Sequence, residues 1–333
     1  FVALDLARRT EVRSLHCLRV LSPPPPLLEA AGLMLRRTVQ FHWHNEGFAD
    51  FDAFLARMNH DKRKKIRQER RRLREAGVQF RRIPGTQAEA ADWRFFYECY
   101  QRTYRSHFST PYLNFAFFQA IARAMPERLL LVLAWRDGQR LAAALDVLGD
   151  DALYGRYWGT LEYLPGLHFE ACYYQAIEHC IEQRIARFEG GAQGEHKLAR
   201  GLLPVATFSA HWLAHPQFAQ AVADFLRREG RGIDNYVDEL AEHTPFKAGD
   251  PAAAVGIRSG WPSETPLQAA EQGIDIPGAG IVVVLPLDTQ IEISPHVERS
   301  AHADHGFDAV VVHRLDRSDQ VSAGLGLRVE VIH

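Results

Sequence analysis

Residues 167–204, LHFEACYYQAIEHCIEQRIARFEGGAQGEHKLARGLLP, divide into three readable parts. The first is a helix. Phe169, Cys172, Tyr173, Ala176, Ile177, Cys180 and Ile181 recur at the 3.6-residue period of an amphipathic segment. Glu170, Tyr174, Glu178 and Glu182 fall on the opposite face. After Arg184 the pattern shortens to a strand over Ile185–Phe188, and a glycine-rich charged turn follows from Glu189 to Lys197, with Arg200 and Gly201 close behind. Gly190, Gly191 and Gly194 permit positive φ and close backbone approach, so their N–H groups beside Lys197 and Arg200 suit an anion cradle. An ordinary strand-to-strand loop fits the same spacing.

Outward from this stretch, the chain has the composition of an ordinary globular protein. It has 333 residues, 47% hydrophobic and 24% charged, enough for one large or two ordinary domains. A net charge of −2 does not mark a nucleic-acid binder overall. The longest apolar run, Leu129–Trp135, falls well short of the roughly 20 residues of a membrane helix. With no leader pattern visible, a cytoplasmic location is expected, although the start at Phe1 suggests that a segment precedes it. Cys17, Cys99, Cys172 and Cys180 are scattered, which predicts reduced thiols rather than a disulfide framework.

Before residue 50 the pattern predicts a short helix, a strand over Ser14–Leu21, a break at Pro23–Pro26, a helix over Leu27–Leu35 and a strand bearing Val39, Phe41 and Trp43. His42 and His44 alternate with those aromatics, which suits strand-edge packing better than zinc. Asp50 should cap a helix to Met58, and a second begins near His60. Within it, Lys62–Arg74 holds nine Lys or Arg against one Glu, with only Ile66 and Leu73 apolar. The reading is a narrow anchoring stripe under a wide cationic surface, either merely solvated or facing phosphates. Next come a strand over Val78–Ile83, a capping box at Thr86–Glu89 opening a helix to Ser106, and a helix capped by Asn114. A three-strand meander follows over Arg128–Arg136, Arg140–Leu148 and Leu153–Gly159, with turns at Asp137-Gly138 and Asp150-Asp151. A strand over Val205–Leu213 precedes two helices, His215–Arg228 and Ile233–His243. This order predicts an α+β fold with a central mixed sheet flanked by helices. Beyond Gly249 the patterning fades, leaving strand-like runs at Gly280–Leu287 and Asp308–His313. His296, His302, Asp304, His305 and His313 match no metal-site spacing.

Three motifs carry a resemblance. F-E-G-G (188–191) with G-E-H-K-L-A-R-G (194–201), the basic run 62–74 ending in Gly77-Val78, and Y-G-R-Y-W-G (154–159) before L-H-F-E (167–170) are similar to those of the Fem-type acyltransferases of the GNAT superfamily. The closer likeness is to their FemAB-like branch, over roughly Ser14–Lys247. Lys197 takes the family's lysine position, with His196 standing where an aromatic residue usually does. The resemblance implies a GNAT-like lobe at 49–247, the remnant of a first such lobe at 1–48, and an unmatched, weakly ordered tail at 248–333. Lys64, Lys65 and Arg67 match basic positions of the family, and Arg156, Tyr157 and Trp158 end the meander, where they could converge with the glycine loop.

The implied chemistry is direct attack of an amine on an acyl donor. No acyl-enzyme is expected, and no G-x-S-x-G elbow occurs. Lys197, Glu195, His196 and His168 are then the catalytic candidates, the histidines because their ordinary pKa lies nearest neutrality. Gly190, Gly191, Gln193, Gly194, Arg200, Arg156, Tyr157, Lys64 and Arg67 would meet the donor. No metal or tightly bound cofactor is expected; acyl-CoA or aminoacyl-tRNA would serve as co-substrate, and a small amine or peptidoglycan precursor as acceptor. A transferase using thioesters, one using aminoacyl-tRNA, and a non-catalytic module that recognises anions are the three readings.

Overall fold

The computed structural model describes residues 2–10, 12–18, 20, 25–191, 194–247, 310–312 and 329–331. The expected strand at 280–287 and the histidines between 296 and 313 lie outside them. In chain order the elements are α1 (Val2–Arg9), β1 (Ser14–Cys17), α2 (Pro25–Ala30), β2 (Met34–His44), α3 (Phe51–Arg57), α4 (His60–Glu75), β3 (Gln79–Pro84), α5 (Ala90–Ser106) and α6 (Phe115–Ala124). There follow β4 (Leu129–Arg136), β5 (Gln139–Leu148), β6 (Ala152–Thr160) and the helix α7, which runs through Leu167–Phe169, a π turn Glu170–Tyr174 and Gln175–Gln183. Last come β7 (Arg187–Glu189), the helical turn α8 (Glu195–Leu198), β8 (Leu203–Leu213), α9 (Pro216–Glu242), β9 (Val310–Val312) and β10 (Val329–Val331).

The chain forms two compact units. The smaller includes Phe1–Thr38 and Ala206–Tyr236. There β1 lies antiparallel to β8, and α1 and α2 bury Leu4, Ala7 and Leu28 with Leu15 and Ala210. The larger comprises Val39–Val205 with Val237–Arg258. Its strands follow the order β2-β7-β6-β5-β4-β3, with β6 and β7 parallel and every other pairing antiparallel. This is the expected α+β class, a mixed sheet flanked by helices.

The core of the larger unit follows from two apolar patterns. Leu129 to Ala134 are buried without a gap, because β4 is an inner strand covered on both faces. Phe96, Cys99 and Tyr100 of α5 and Phe118 of α6 pack on Leu131, Leu133 and Leu145. Gly159 on β6 lets α5 approach. A Cβ there would stand 2.1 Å from the Cys99 carbonyl oxygen and 2.7 Å from Thr103 Oγ1. The obstacle is backbone, so Gly159→Ala should cost about 1–3 kcal/mol or more, read as a lower urea midpoint with an unchanged m-value.

Several expectations are corrected. The helix foreseen over Leu27–Leu35 stops at Ala30, because Gly32 turns the chain at φ +88° and Leu35 already belongs to β2. The capping box is Glu89 with Asp92 rather than Thr86 with Glu89, since the Glu89 N–H that Thr86 would cap donates to Asp92. The two expected C-terminal helices are one. Gly230 and Gly232 lie inside α9, and two helical glycines cost only about 1 kcal/mol each. The glycine-rich stretch after β7 is more than a turn: β7 sits between β2 and β6, and the loop that follows it folds into α8.

The first turns of the acidic face on α7 are covered, while Glu182 at its end stays exposed. Glu170 and Tyr174 are buried, because α4 packs over them and Arg70 enters between Glu170 and Glu178. The π turn lies at this crowded point, as such insertions often do near functional sites.

Candidate functional site

Two backbone facts position the site. The β6–β7 pairing spans Ala152↔Arg187 to Tyr154↔Glu189, after which β6 continues to Thr160 while β7 has ended. The chain then hugs β2: Gly190 N–H donates to the Phe41 carbonyl, and Phe41 N–H donates to Gly191 O. A Cβ on Gly190 would lie 2.5 Å from Leu202 Cδ2, so a side chain here would have to displace that buried leucine. The Gly190 N–H, expected in an anion cradle, is therefore spent within the fold. Gly191 (φ +78°) and Gly194 (φ +104°) turn the chain into α8; Gln193 lies outside the described residues.

On α8, Lys197 is 6% exposed, with Nζ 3.4 Å from Gly191 O and above the Phe41 ring. Burial lowers its pKa to about 8. Beside it lies an aromatic cluster. The His168 ring is 4.5 Å from that of Trp158, 5.3 Å from Tyr173 and 6.0 Å from His196. Burial, then the charges of His196, Lys197 and Arg200, bring the His168 pKa down to about 4. His196 shares a 3.1 Å hydrogen bond with the Tyr173 hydroxyl, and burial, Lys197 and Arg200 lower its pKa too. Both imidazoles are therefore neutral near pH 7, beside a lysine that is still largely protonated.

Arg200 has a different environment from the one expected. It is 3% exposed, its guanidinium lies 3.2 Å from the Phe169 ring centroid, and Nη2 donates to both oxygens of Glu69 at 2.9 and 3.2 Å. Nη1 donates to the His196 carbonyl at 2.7 Å, which ties α8 to α4. Tyr174 donates to Glu69 as well. Arg200 thus serves first as a strut, because a carboxylate inside the fold already occupies its fork.

The structure brings together Lys197, His196, His168 and Arg200, with Trp158 against His168. The other residues expected at the site lie apart from this cluster. Arg156 is exposed over the Tyr154 ring, and Tyr157 turns toward Tyr100 and Phe118 of the α5–α6 core. Lys64 and Arg67 are on the exposed face of α4, where Arg67 pairs with Asp52 at 2.8 Å. Glu195 begins α8, but its side chain lies outside what the structure describes.

Sequence reasoning missed two acids. Glu69 was the lone carboxylate in the cationic run, and that isolation was the available signal. Asp146 is the lone acid in the apolar strand LAAALDV. It is 1% exposed at a β-bulge, with Oδ2 lacking a hydrogen-bond partner, and burial holds its pKa well above the usual carboxylate range. Among the described residues no three of His, Cys, Asp and Glu gather as metal ligands would, and no helix is long and apolar enough to cross a membrane.

Residues 2–248 match the FemAB-like family, described as peptidoglycan biosynthesis/recognition. Solved structures similar to the chain include FemX, at 12% identity over 67% of this chain and 77% of that one, with a TM-score of 0.49. Another is the C-terminal domain of a putative lysylphosphatidylglycerol synthetase from Agrobacterium fabrum, at 13% identity over 67% and 75%, TM-score 0.48. A tandem GNAT protein from the clavulanic acid biosynthesis pathway is 12% identical over 64% and 67%, TM-score 0.38. No protein with a curated description matches the sequence.

Proposed function

We propose that this chain, which belongs to the FemAB-like family of peptidoglycan biosynthesis and recognition proteins, transfers an acyl or aminoacyl group from an ester or thioester to an amine. The observation that carries this reading is Lys197, nearly buried and with a lowered pKa, in a cluster with two neutral imidazoles. In the reaction, the amine nitrogen attacks the acyl carbon and the carbonyl oxygen gains negative charge. The Lys197 ammonium stabilises that oxyanion in surroundings poor in water. His168 takes the proton the amine loses; as the adduct collapses, the C–O or C–S electron pair leaves with the departing oxygen or sulfur, and the His168 imidazolium returns the proton to it. The acyl donor is a co-substrate, and a cell-wall precursor bearing a free amine is the acceptor. A cytoplasmic location belongs to the same proposal.

One observation favours aminoacyl-tRNA over acyl-CoA as donor. Lys64, Lys65, Arg72 and Arg74 are exposed on α4 with no carboxylate partner among the described residues, a surface suited to a polyanion. Incubation with aminoacyl-tRNA or acyl-CoA and an amine-bearing peptidoglycan precursor, followed by mass spectrometry of the acceptor, tests both steps. Acylated acceptor that disappears after RNase treatment supports the tRNA donor. Acceptor left unmodified by both donors overturns the enzyme reading in favour of a recognition module.

The pH dependence follows from the two shifted groups. A lysine with a pKa near 8 carries its charge below that value and loses it above; a histidine near 4 is an available base above that value. With acceptor amine expressed as free base, kcat/KM should hold a plateau between about pH 5 and pH 7, falling above about 8 and below about 4. Lys197→Arg should remove the alkaline limb, since a guanidinium stays charged throughout.

A further inference from the structure

Helix α5 ends in a turn that ordinarily calls for glycine. The Ser109 N–H donates to the Tyr104 carbonyl at 3.0 Å and the Phe108 N–H to the Arg105 carbonyl at 3.1 Å, the paired bonds of a Schellman motif. Its left-handed position is held by Phe108, at φ +55°. A bulky side chain is strained in that conformation, which glycine adopts freely. The Phe108 ring is also 101% exposed, more than any other large apolar side chain among the described residues. A single apolar residue in water is ordinary, but one that also strains the backbone points to a contact outside the fold.

The surroundings narrow what that contact is. Residues 99–126 contain no Asp or Glu, yet they include Arg102, Arg105, His107 and Arg123. Arg102 and Arg105 are exposed on the last turns of α5 and form no ion pair among the described residues. The turn is well anchored. Tyr112 packs edge-on against Tyr104, and its hydroxyl lies 3.4 Å from that of Tyr157. Thr103 Oγ1 donates to the Trp158 carbonyl at 2.9 Å. Both anchors are on β6, at the residues that face the α5–α6 core on one side and His168 on the other.

We infer that the turn 105–112 docks on an anionic membrane surface, with Phe108 entering between the lipid headgroups and Arg102 and Arg105 against their phosphates. A protruding apolar ring beside unpaired cations gains from such a surface twice, through apolar burial and through attraction to anionic lipid. Single-stranded nucleic acid also offers phosphates and apolar faces, but its bases stack on aromatic platforms. Phe108 pairs with no other ring among the described residues, so it is shaped to insert rather than to hold a base. A docked turn would keep the strand that leads into the Lys197 cluster close to the lipid.

The test is cosedimentation of the full chain with vesicles of phosphatidylglycerol and phosphatidylcholine in equal parts, against phosphatidylcholine alone, with neither donor nor acceptor present. The chain should pellet with the anionic vesicles and be released as salt is raised. Phe108→Gly should lower partitioning about tenfold or more, the loss of one inserted aromatic ring, while Tm stays equal or rises because the strain is relieved. Arg102→Gln with Arg105→Gln should weaken binding by a similar factor. No pelleting, equal pelleting with uncharged vesicles, or wild-type partitioning by Phe108→Gly would overturn the assignment. So would binding that RNase abolishes, which makes the turn a nucleic-acid surface, or pelleting without vesicles, which makes the partner a second copy. Because no turnover is measured, docking can fail while the transfer reaction stands, and the reverse.

Discussion

Replacing Lys197 with methionine lowers kcat/KM for acyl transfer by about 10²–10³-fold, the typical loss when one oxyanion-stabilising group is removed. The substitution keeps most of the side-chain volume over the Phe41 ring and deletes only the ammonium. Burying that cation has a desolvation cost, as its lowered pKa records, so the variant should fold as well as the wild type or slightly better. The combination of lost activity and unchanged or higher Tm separates a chemical role from a structural one. Activity within threefold of wild type would remove Lys197 from the mechanism, and an equal loss in both measurements would make it a packing residue.

The legibility of the fold and of the site differed for physical reasons. Strand alternation, the meander's turns and the caps Asp50 and Asn114 were readable because they are local, and each matches an observed element. The strands on either side of residues 190–202 were readable, but their pairing was not, because pairing partners are not a local property. Nothing within the loop says that β7 joins β2 and β6, or that the Gly190 N–H is used by Phe41. Charge was misread in the same way. A helical projection puts Glu170 on a polar face, but a carboxylate can be buried when a cation arrives from elsewhere, here Arg70 from α4. The motif with Lys197 was legible from resemblance, yet the lowered pKa that makes it chemically interesting depends on burial. Trp158 was readable as adjacent to the loop, whereas its neighbour Tyr157 points to the other side, as alternation on a strand requires.

Glu69→Ala should be the most destabilising single change at the site. Glu69 and Arg200 form a two-point ion pair, their side chains 14% and 4% exposed, so truncation leaves a guanidinium inside the protein without its counter-charge. Breaking such a buried pair from one side costs about 3–5 kcal/mol. In a domain of this size that lowers Tm by roughly 6–20 °C. Activity should fall as well, because Arg200 also grips the His196 carbonyl and so fixes the turn that carries Lys197. The paired variant Glu69→Gln with Arg200→Met removes both charges and retains packing on Phe169. It should recover much of the lost stability but not the activity, since the hold on α8 is still missing. A Glu69→Ala protein that melts within a degree of wild type would show that the pair does not hold α8 to α4. A paired variant no more stable than Glu69→Ala would show that the unpaired guanidinium is not the source of the loss.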